Sequence, residues 1–227
     1  MERVNSQVFI DKINQLYKEI FYGYNTNDLT SMEKRKIIFD YLTNTLEYDF
    51  ELLEGIKLNN MRNGNKFPRS LSNEIMNVLT IKKGVCNAIS QVYKLLLEKV
   101  NIYAICICCN DSTTVPHQLN LVYDKENNTY SFDDITSVIV GRGTKEDFFN
   151  YDLEDANRLG QGNKEVNSGQ KWIALPTEMV YFIVGRDDHF YRQLGITEKM
   201  EGVGINIPTN IRKSNISIND INKSAKR

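Results

Sequence analysis

The sequence lacks the features that define several large classes of protein. Its 227 residues include four cysteines, four prolines, two histidines and one tryptophan. Lys plus Arg total 28 against 29 for Asp plus Glu, so the net charge of −1 gives no overall attraction to nucleic acid or an anionic membrane. With 41% hydrophobic residues the chain can build one well-packed domain, which excludes a disordered or collagenous protein. Any ligand must therefore be recognised by a local site.

The sequence offers no long hydrophobic run for export or for crossing a bilayer. Residues 1 to 21 interleave charged side chains with apolar ones, which is not typical of a signal peptide. Three of the four cysteines, Cys106, Cys108 and Cys109, crowd one short segment, which a disulfide framework does not favour. We therefore expect a cytoplasmic protein, while export by a route without a signal peptide stays open.

Apolar residues at helical spacing predict four helices before residue 100. The second follows Thr30 and Glu33, which form a capping-box pattern, and is expected to end near residue 48. The asparagine-rich stretch from residue 58 to 69 predicts a surface loop. The other three helices are expected at residues 10 to 21, 72 to 83 and 85 to 100.

Short β-branched or alternating runs predict strands after residue 100. They cover residues 102 to 109, 117 to 123 and 130 to 135, and the last two form a hairpin. Weaker patterns predict a helix at 145 to 159, strands at 172 to 175 and 181 to 184, and a helix at 187 to 194; a helix at 177 to 184 is the alternative. The fold class is therefore α+β, a single domain over residues 1 to 207 followed by a polar, flexible tail over 208 to 227.

The order of three polar residues indicates nucleophilic thiol chemistry. Cys86 begins a predicted helix, His117 begins a strand, and Asp133 or Asp134 ends the returning strand. A thiolate at a helix N-terminus is stabilised by free N–H groups and by a neighbouring imidazolium. A carboxylate can fix the orientation of that imidazole. Taken singly, Cys86 and His117 are read as structural residues; taken with the aspartate, they predict a catalytic triad.

Strand parity distinguishes the two aspartates. If the hairpin pairs Tyr123 with Tyr130, the numbers of paired residues sum to 253. Asp134 then shares the face of His117, diagonally across the pair, whereas Asp133 points to the other face. A β-bulge would reverse this choice.

At these residues the sequence resembles the transglutaminase-like superfamily, whose core is papain-like. Its bacterial members share a Gly-x-Cys helix start, a His-x-x-Asn strand and an Asp-x-Thr strand end. Here they are Gly84-Val85-Cys86, His117-Gln118-Leu119-Asn120 and Asp134-Ile135-Thr136. The resemblance covers about residues 34 to 136, including a segment from 41 to 49 that is similar to a family helix ending in Tyr-Asp. Leu119 replaces a common aromatic residue, and Asn101 replaces a common glycine.

The resemblance implies amide chemistry on a peptide or protein substrate through a thioester. The catalytic residues are Cys86 as nucleophile, His117 as acid and base, and Asp134 as its orienting partner. Water as acceptor gives a thiol protease or amidase, and an amine gives a transglutaminase. We expect no cofactor, no metal, no nucleic-acid partner and no membrane partner. The alternative is an inactive module of the same fold that binds a peptide or protein.

The remaining candidates are given structural interpretations. Cys106 and Cys108 point to one side of a strand and Cys109 to the other, which favours core packing over a zinc site. His189 is interpreted as a surface or capping residue. The glycines around Arg142 predict a turn, because no helix with a phosphate-binding lysine follows them.

Overall fold

The computed structural model describes residues 6–63, 71–109, 117–126, 129–151, 171–174 and 216–217. Within these ranges the long helices precede residue 100, and a five-stranded antiparallel sheet follows it. The α+β class predicted from the sequence is confirmed. The helices in the described ranges are all too short or too polar to cross a membrane. The predicted domain boundaries stay a prediction.

Five helices make up most of the N-terminal part. The first ends before Gly23, which adopts a left-handed φ of 82°, as expected for a helix stop. The second begins with the predicted capping box, in which Thr30 and Glu33 each bind the other's backbone N–H. The bounds are α1 Ser6–Ile20, α2 Ser31–Thr45, α3 Phe50–Asn63, α4 Leu71–Ile81 and α5 Cys86–Lys99.

The second and third helices each correct one expectation. α2 ends at Thr45 rather than near residue 48, because Leu46 is already extended. α3 then occupies residues that were predicted to be a loop from 58 onwards, and residues 64–69 of that loop lie outside the described ranges. The helix begins where the Asp49 carboxylate accepts the N–H of Leu52 at 3.0 Å, and it buries Ile56. A single capping aspartate is a weak sequence signal, and the asparagines from Asn59 onwards are more typical of a loop than of a helix.

Two sheets hold the rest of the chain together. A small parallel pair joins β1 Glu47–Tyr48 to β2 Lys83–Gly84, with Tyr48 opposite Gly84. The large sheet is antiparallel, in the order β5-β4-β3-β6-β7. Its strands are β3 Ala104–Cys109, β4 His117–Asp124, β5 Thr129–Asp133, β6 Lys171–Ala174 and β7 Ile216–Ser217.

The central helix α5 lies in the core between the other helices and the sheet. Its apolar side chains are buried, and it packs on β3, β4, α2 and α4. Residues 88 to 97 are all buried, including the polar Ser90, Gln91 and Lys94, so the helix is covered on every side. Asn101, which follows α5, has a left-handed φ of 61°. Asparagine tolerates this conformation better than most residues other than glycine.

The end of β5 and the segment after it differ from the sequence prediction. β5 ends at Asp133 rather than at 135, and α6 Ile135–Ile139 begins with Asp134 as its N-cap. A second short helix, α7 Lys145–Phe148, ends long before 159, because Phe149 is extended and Asn150 has a φ of 53°. A predicted strand is confirmed as β6, and β7 falls within the predicted tail. The elements predicted at 181–184 and 187–194, with His189, lie outside the described residues.

Candidate active site

Cys86 is the first residue of α5 and follows directly on the small parallel sheet. It is 7% exposed, and the N-cap residue Val85 provides no side-chain cap for the first N–H groups of the helix. The strand β2 lies close to α4 at Gly84. Any larger residue there would clash, because its Cβ atom would lie 2.5 Å from Cγ2 of Val78. The glycine of the Gly-x-Cys pattern therefore has a packing reason in this chain.

The hairpin has the predicted register. Tyr123 pairs with Tyr130 and Asn120 with Asp133, so the paired numbers sum to 253 as expected from the sequence. Asp134, one residue past the end of β5, reaches the imidazole of His117. The distance from Asp134 Oδ2 to His117 Nε2 is 2.7 Å. The Asp134 side chain is fully buried, whereas 21% of the His117 side chain is exposed.

The imidazole of His117 also lies within hydrogen-bonding reach of the Cys86 thiol, and each shifts the pKa of the other. Because Nε2 is occupied by Asp134, Nδ1 is the ring nitrogen available to the sulfur. The backbone N–H of Gln118 is a second hydrogen-bond partner of the sulfur. The structure thus brings the three predicted side chains together: His117 is hydrogen-bonded to Asp134, and Cys86 lies beside His117.

The electrostatics of these three side chains favour a thiolate and an imidazolium. Burial lowers the pKa of His117, but the Asp134 carboxylate and the bond to Cys86 outweigh it and raise the pKa to about 10. Burial raises the pKa of Cys86, but the bonds from His117 and Gln118 outweigh it, and the net shift is downward. Burial likewise raises the pKa of Asp134, yet His117 and Ser137 lower it to about 2. Each charged form is therefore stabilised by its neighbour.

Asp134 is held by hydroxyl and backbone donors as well as by His117. Its Oδ1 accepts from Thr136 Oγ1 at 2.9 Å and from the N–H of Ser137 at 3.0 Å. Its Oδ2 accepts from Ser137 Oγ at 2.7 Å. These bonds make Asp134 the N-cap of α6 and fix its carboxylate toward His117. The threonine of the Asp-x-Thr pattern therefore orients the aspartate.

Tyr48 is a site residue to which the sequence assigned no role. Its hydroxyl lies beside the side chain and the backbone N–H of Cys86, within reach of both. Burial and the neighbouring Cys86 both raise the pKa of Tyr48, so its hydroxyl keeps its proton. The segment that ends in Tyr48 and Asp49 gives a weak signal in the sequence, but only the pairing of β1 with β2 shows that Tyr48 reaches Cys86.

Other polar residues near the site have structural partners. Asn120 donates from Nδ2 to the carbonyl oxygen of Ser90 at 3.0 Å and to the sulfur of Cys106 at 3.6 Å. Arg142 lies in the turn that was expected from its glycine neighbours, and its backbone N–H donates to the carbonyl oxygen of Ser137 at 2.9 Å. In the part of the chain that the structure describes, no group of three or more His, Cys, Asp or Glu side chains could hold a metal ion. The side chains of Cys108 and Cys109 lie outside the described set.

Comparison with known proteins gives a weak likeness of fold. No protein-family model and no curated protein matches the chain. Among solved structures, the chain is similar to one described as the crystal structure of a TGase, with 20% sequence identity and a TM-score of 0.46. The similarity covers 61% of this chain and 35% of the other. The chain thus matches about a third of the length of that protein.

Proposed function

We propose that this chain is a cysteine-dependent enzyme that acts on carboxamide groups of a peptide or protein, with a papain-like, transglutaminase-like core. The observation that supports the proposal most directly is the close arrangement of Cys86, His117 and Asp134, in which His117 is hydrogen-bonded to Asp134. Three buried or half-buried polar groups whose pKa shifts reinforce one another are typical of a reactive thiol site.

Each residue has one role in the proposed reaction. The Cys86 thiolate attacks the amide carbonyl carbon, so a C–S bond forms and the carbonyl electron pair moves to oxygen. When the tetrahedral intermediate collapses, the C–N bond breaks and the leaving amine takes the proton of His117. A thioester on Cys86 remains, and Asp134 keeps the imidazole oriented throughout.

The thioester is then resolved by an acceptor. Water or a primary amine attacks the thioester carbon while His117 accepts its proton, and the Cys86 thiolate leaves. Water gives a carboxylic acid, which is protease or amidase chemistry. An amine gives a new amide, which is transglutaminase chemistry. The same site serves both reactions.

The oxyanion of the tetrahedral intermediate requires hydrogen-bond donors close to Cys86. The backbone N–H of Cys86 is one donor, and the oxygen of Tyr48 lies beside it. We assign the Tyr48 hydroxyl as the second donor. On binding, the substrate oxygen takes the place of the tyrosine oxygen at the N–H, and the hydroxyl turns to donate to it.

Selective alkylation tests the proposed nucleophile. With the folded full-length chain and iodoacetamide at pH 7, peptide mapping should show Cys86 modified at least about tenfold faster than Cys106. His117→Asn should abolish this selectivity, because the thiolate loses its cationic partner. Equal modification of the two thiols in the wild-type chain would reject a reactive thiol.

Turnover distinguishes an enzyme from a binding module. A library of peptides that contain glutamine should acylate Cys86, and the acyl-enzyme should release acid with water or amide with a primary amine. Cys86→Ala should abolish both products while folding stays intact. A wild-type chain that holds a peptide without any turnover would instead support the inactive module.

A further inference from the structure

The rim of the candidate site carries an exposed aromatic side chain. Phe50 is the first residue of α3, and 59% of its surface is exposed, although phenylalanine is usually buried. Its ring packs edge-on against Tyr48, with the ring centroids 5.1 Å apart and the planes at 62°. Because the Tyr48 hydroxyl lies beside Cys86, Phe50 is separated from the thiol by a single side chain.

The backbone beneath Phe50 is fixed. The N–H of Asp49 donates to the carbonyl oxygen of Gly84 at 2.9 Å, and the Asp49 carboxylate caps α3. The side chain of Lys83 lies 3.6 Å from the same carboxylate, so the two charges beside Phe50 compensate each other. The backbone that carries Phe50 is therefore held by hydrogen bonds, and the charges of Lys83 and Asp49 beside it neutralise each other.

We infer that Phe50 and the edge of Tyr48 form a subsite for an apolar, preferably aromatic, side chain of the substrate close to the reacting amide. The inference rests on the proposed function, because it takes Cys86 as the point of attack. A substrate ring that covers Phe50 buries apolar surface on both partners and can pack against an aromatic edge. An acidic or strongly polar group at the same place would gain neither the burial of apolar surface nor the contact with an aromatic edge.

Leu58 provides a matched comparison on the same helix. It is 54% exposed, but it lies eight residues further along α3, which is about 12 Å at the rise of an α-helix. A substrate group reaching a few bonds from Cys86 contacts Phe50 and does not contact Leu58. Truncating either residue removes a similar exposed apolar side chain, so the pair separates a local effect from a general loss of hydrophobic surface.

Two chloroacetamides test the subsite without knowledge of the natural substrate. Chloroacetamide and its N-(2-phenylethyl) derivative alkylate a thiolate by the same displacement of chloride. The rate of each at Cys86 is measured by peptide mapping on the full chain and divided by its rate with glutathione. The phenylethyl derivative should be favoured by about fivefold or more in the wild type, as expected for partial burial of one ring. Phe50→Ala should bring this ratio close to one, and Phe50→Leu should restore part of it.

The outcomes separate the subsite from the proposed function. Leu58→Ala should keep the wild-type preference; loss of preference in both variants would overturn the inference. A wild-type Cys86 that reacts fast with chloroacetamide but shows no preference would also overturn it and leave the proposed function standing. A Cys86 no more reactive than glutathione with either reagent would overturn both.

Discussion

Asp133 and Asp134 are consecutive residues whose carboxylates belong to two separate hydrogen-bond networks. Asp134 binds His117, as described above. Asp133 accepts from Arg35 Nε and Nη2, both at 2.7 Å, and from the Tyr93 hydroxyl at 2.6 Å. Arg35, Tyr93 and Asp133 are all buried. Because side chains alternate along an extended backbone, one residue supports the candidate chemistry and its neighbour ties α2 and α5 to the sheet.

The two aspartates should therefore differ in the effects of substitution. Asp134→Asn removes the charge that raises the pKa of His117, so the imidazolium weakens and the alkylation of Cys86 should begin at higher pH. Asp133→Asn should leave that pH profile nearly unchanged. It should instead reduce the free energy of unfolding by about 3 kcal/mol or more, because the buried charge of Arg35 loses its carboxylate.

Iodoacetamide rates from pH 5 to 9 and urea unfolding of both variants measure these effects. The alkylation series is run at a temperature where Asp133→Asn is folded. A larger shift of the alkylation profile in Asp133→Asn than in Asp134→Asn would contradict the assignment of His117 to Asp134.

The placement of His117 and Asp134 on the same face of the hairpin could be predicted from the sequence, because the register of a hairpin follows local rules. A period of two along each strand and an even hairpin connection determine which face each residue occupies. The helix start at Cys86 followed in the same way from apolar spacing. These rules act over a few residues, so no tertiary knowledge was needed.

Contacts between distant segments could not be predicted. Arg35 lies 98 residues from Asp133, and in the sequence it is one charged residue among many in α2. Tyr48 reaches Cys86 only because two-residue strands pair in parallel, and such short strands have no recognisable period. The start of α3 depends on a single capping residue, Asp49, and one aspartate without a capping-box partner is a weak sequence signal.

Tyr48→Phe should separate oxyanion stabilisation from thiol reactivity. Removing the hydroxyl deletes one donor to the tetrahedral intermediate, so turnover of an amide should fall about a hundredfold. Alkylation by iodoacetamide forms no oxyanion, so its rate should change little. Tyr41→Phe is the control, since that hydroxyl binds Glu19 instead. A parallel fall of both rates in Tyr48→Phe would indicate a structural role.

Gly84→Ala should destabilise the fold by steric conflict. The new Cβ would lie 2.5 Å from Cγ2 of Val78, which is fully buried, so we expect a loss of about 1 to 3 kcal/mol. Adding Val78→Ala removes the conflicting methyl group, and the double variant should lose less than the sum of the single losses. Gly55→Ala is the control, because nothing lies within 4 Å of its Cβ position; it should be neutral or stabilising. If the free-energy losses of the two single variants, measured by urea unfolding, simply add in the double variant, the proposed steric conflict with Val78 is wrong.

The pairing of Cys86 with His117 should also be visible in the pH dependence of stability. The ordinary pKa values are 6.5 for His117 and 9.0 for Cys86, so between these values the unfolded pair holds one proton, on sulfur. The folded thiolate and imidazolium also hold one proton, on the ring. Folding then changes the proton count of the pair little, and its contribution to stability should vary weakly with pH.

Cys86→Ala removes this compensation. Asp134 still raises the pKa of His117, so the folded ring holds a proton that the unfolded ring has lost above pH 6.5. A raised pKa gives stability that is complete below 6.5 and is lost as the pH rises toward the folded value. The free energy of unfolding of Cys86→Ala should therefore fall between pH 7 and 8.5 more steeply than that of the wild type, by up to about 1.4 kcal/mol per pH unit. Urea unfolding across this range measures both slopes. Cys106→Ala is the control: it removes a thiol bonded to Asn120, and its slope should match that of the wild type. Parallel slopes for Cys86→Ala and the wild type would mean that the Cys86 thiol does not share its proton with His117.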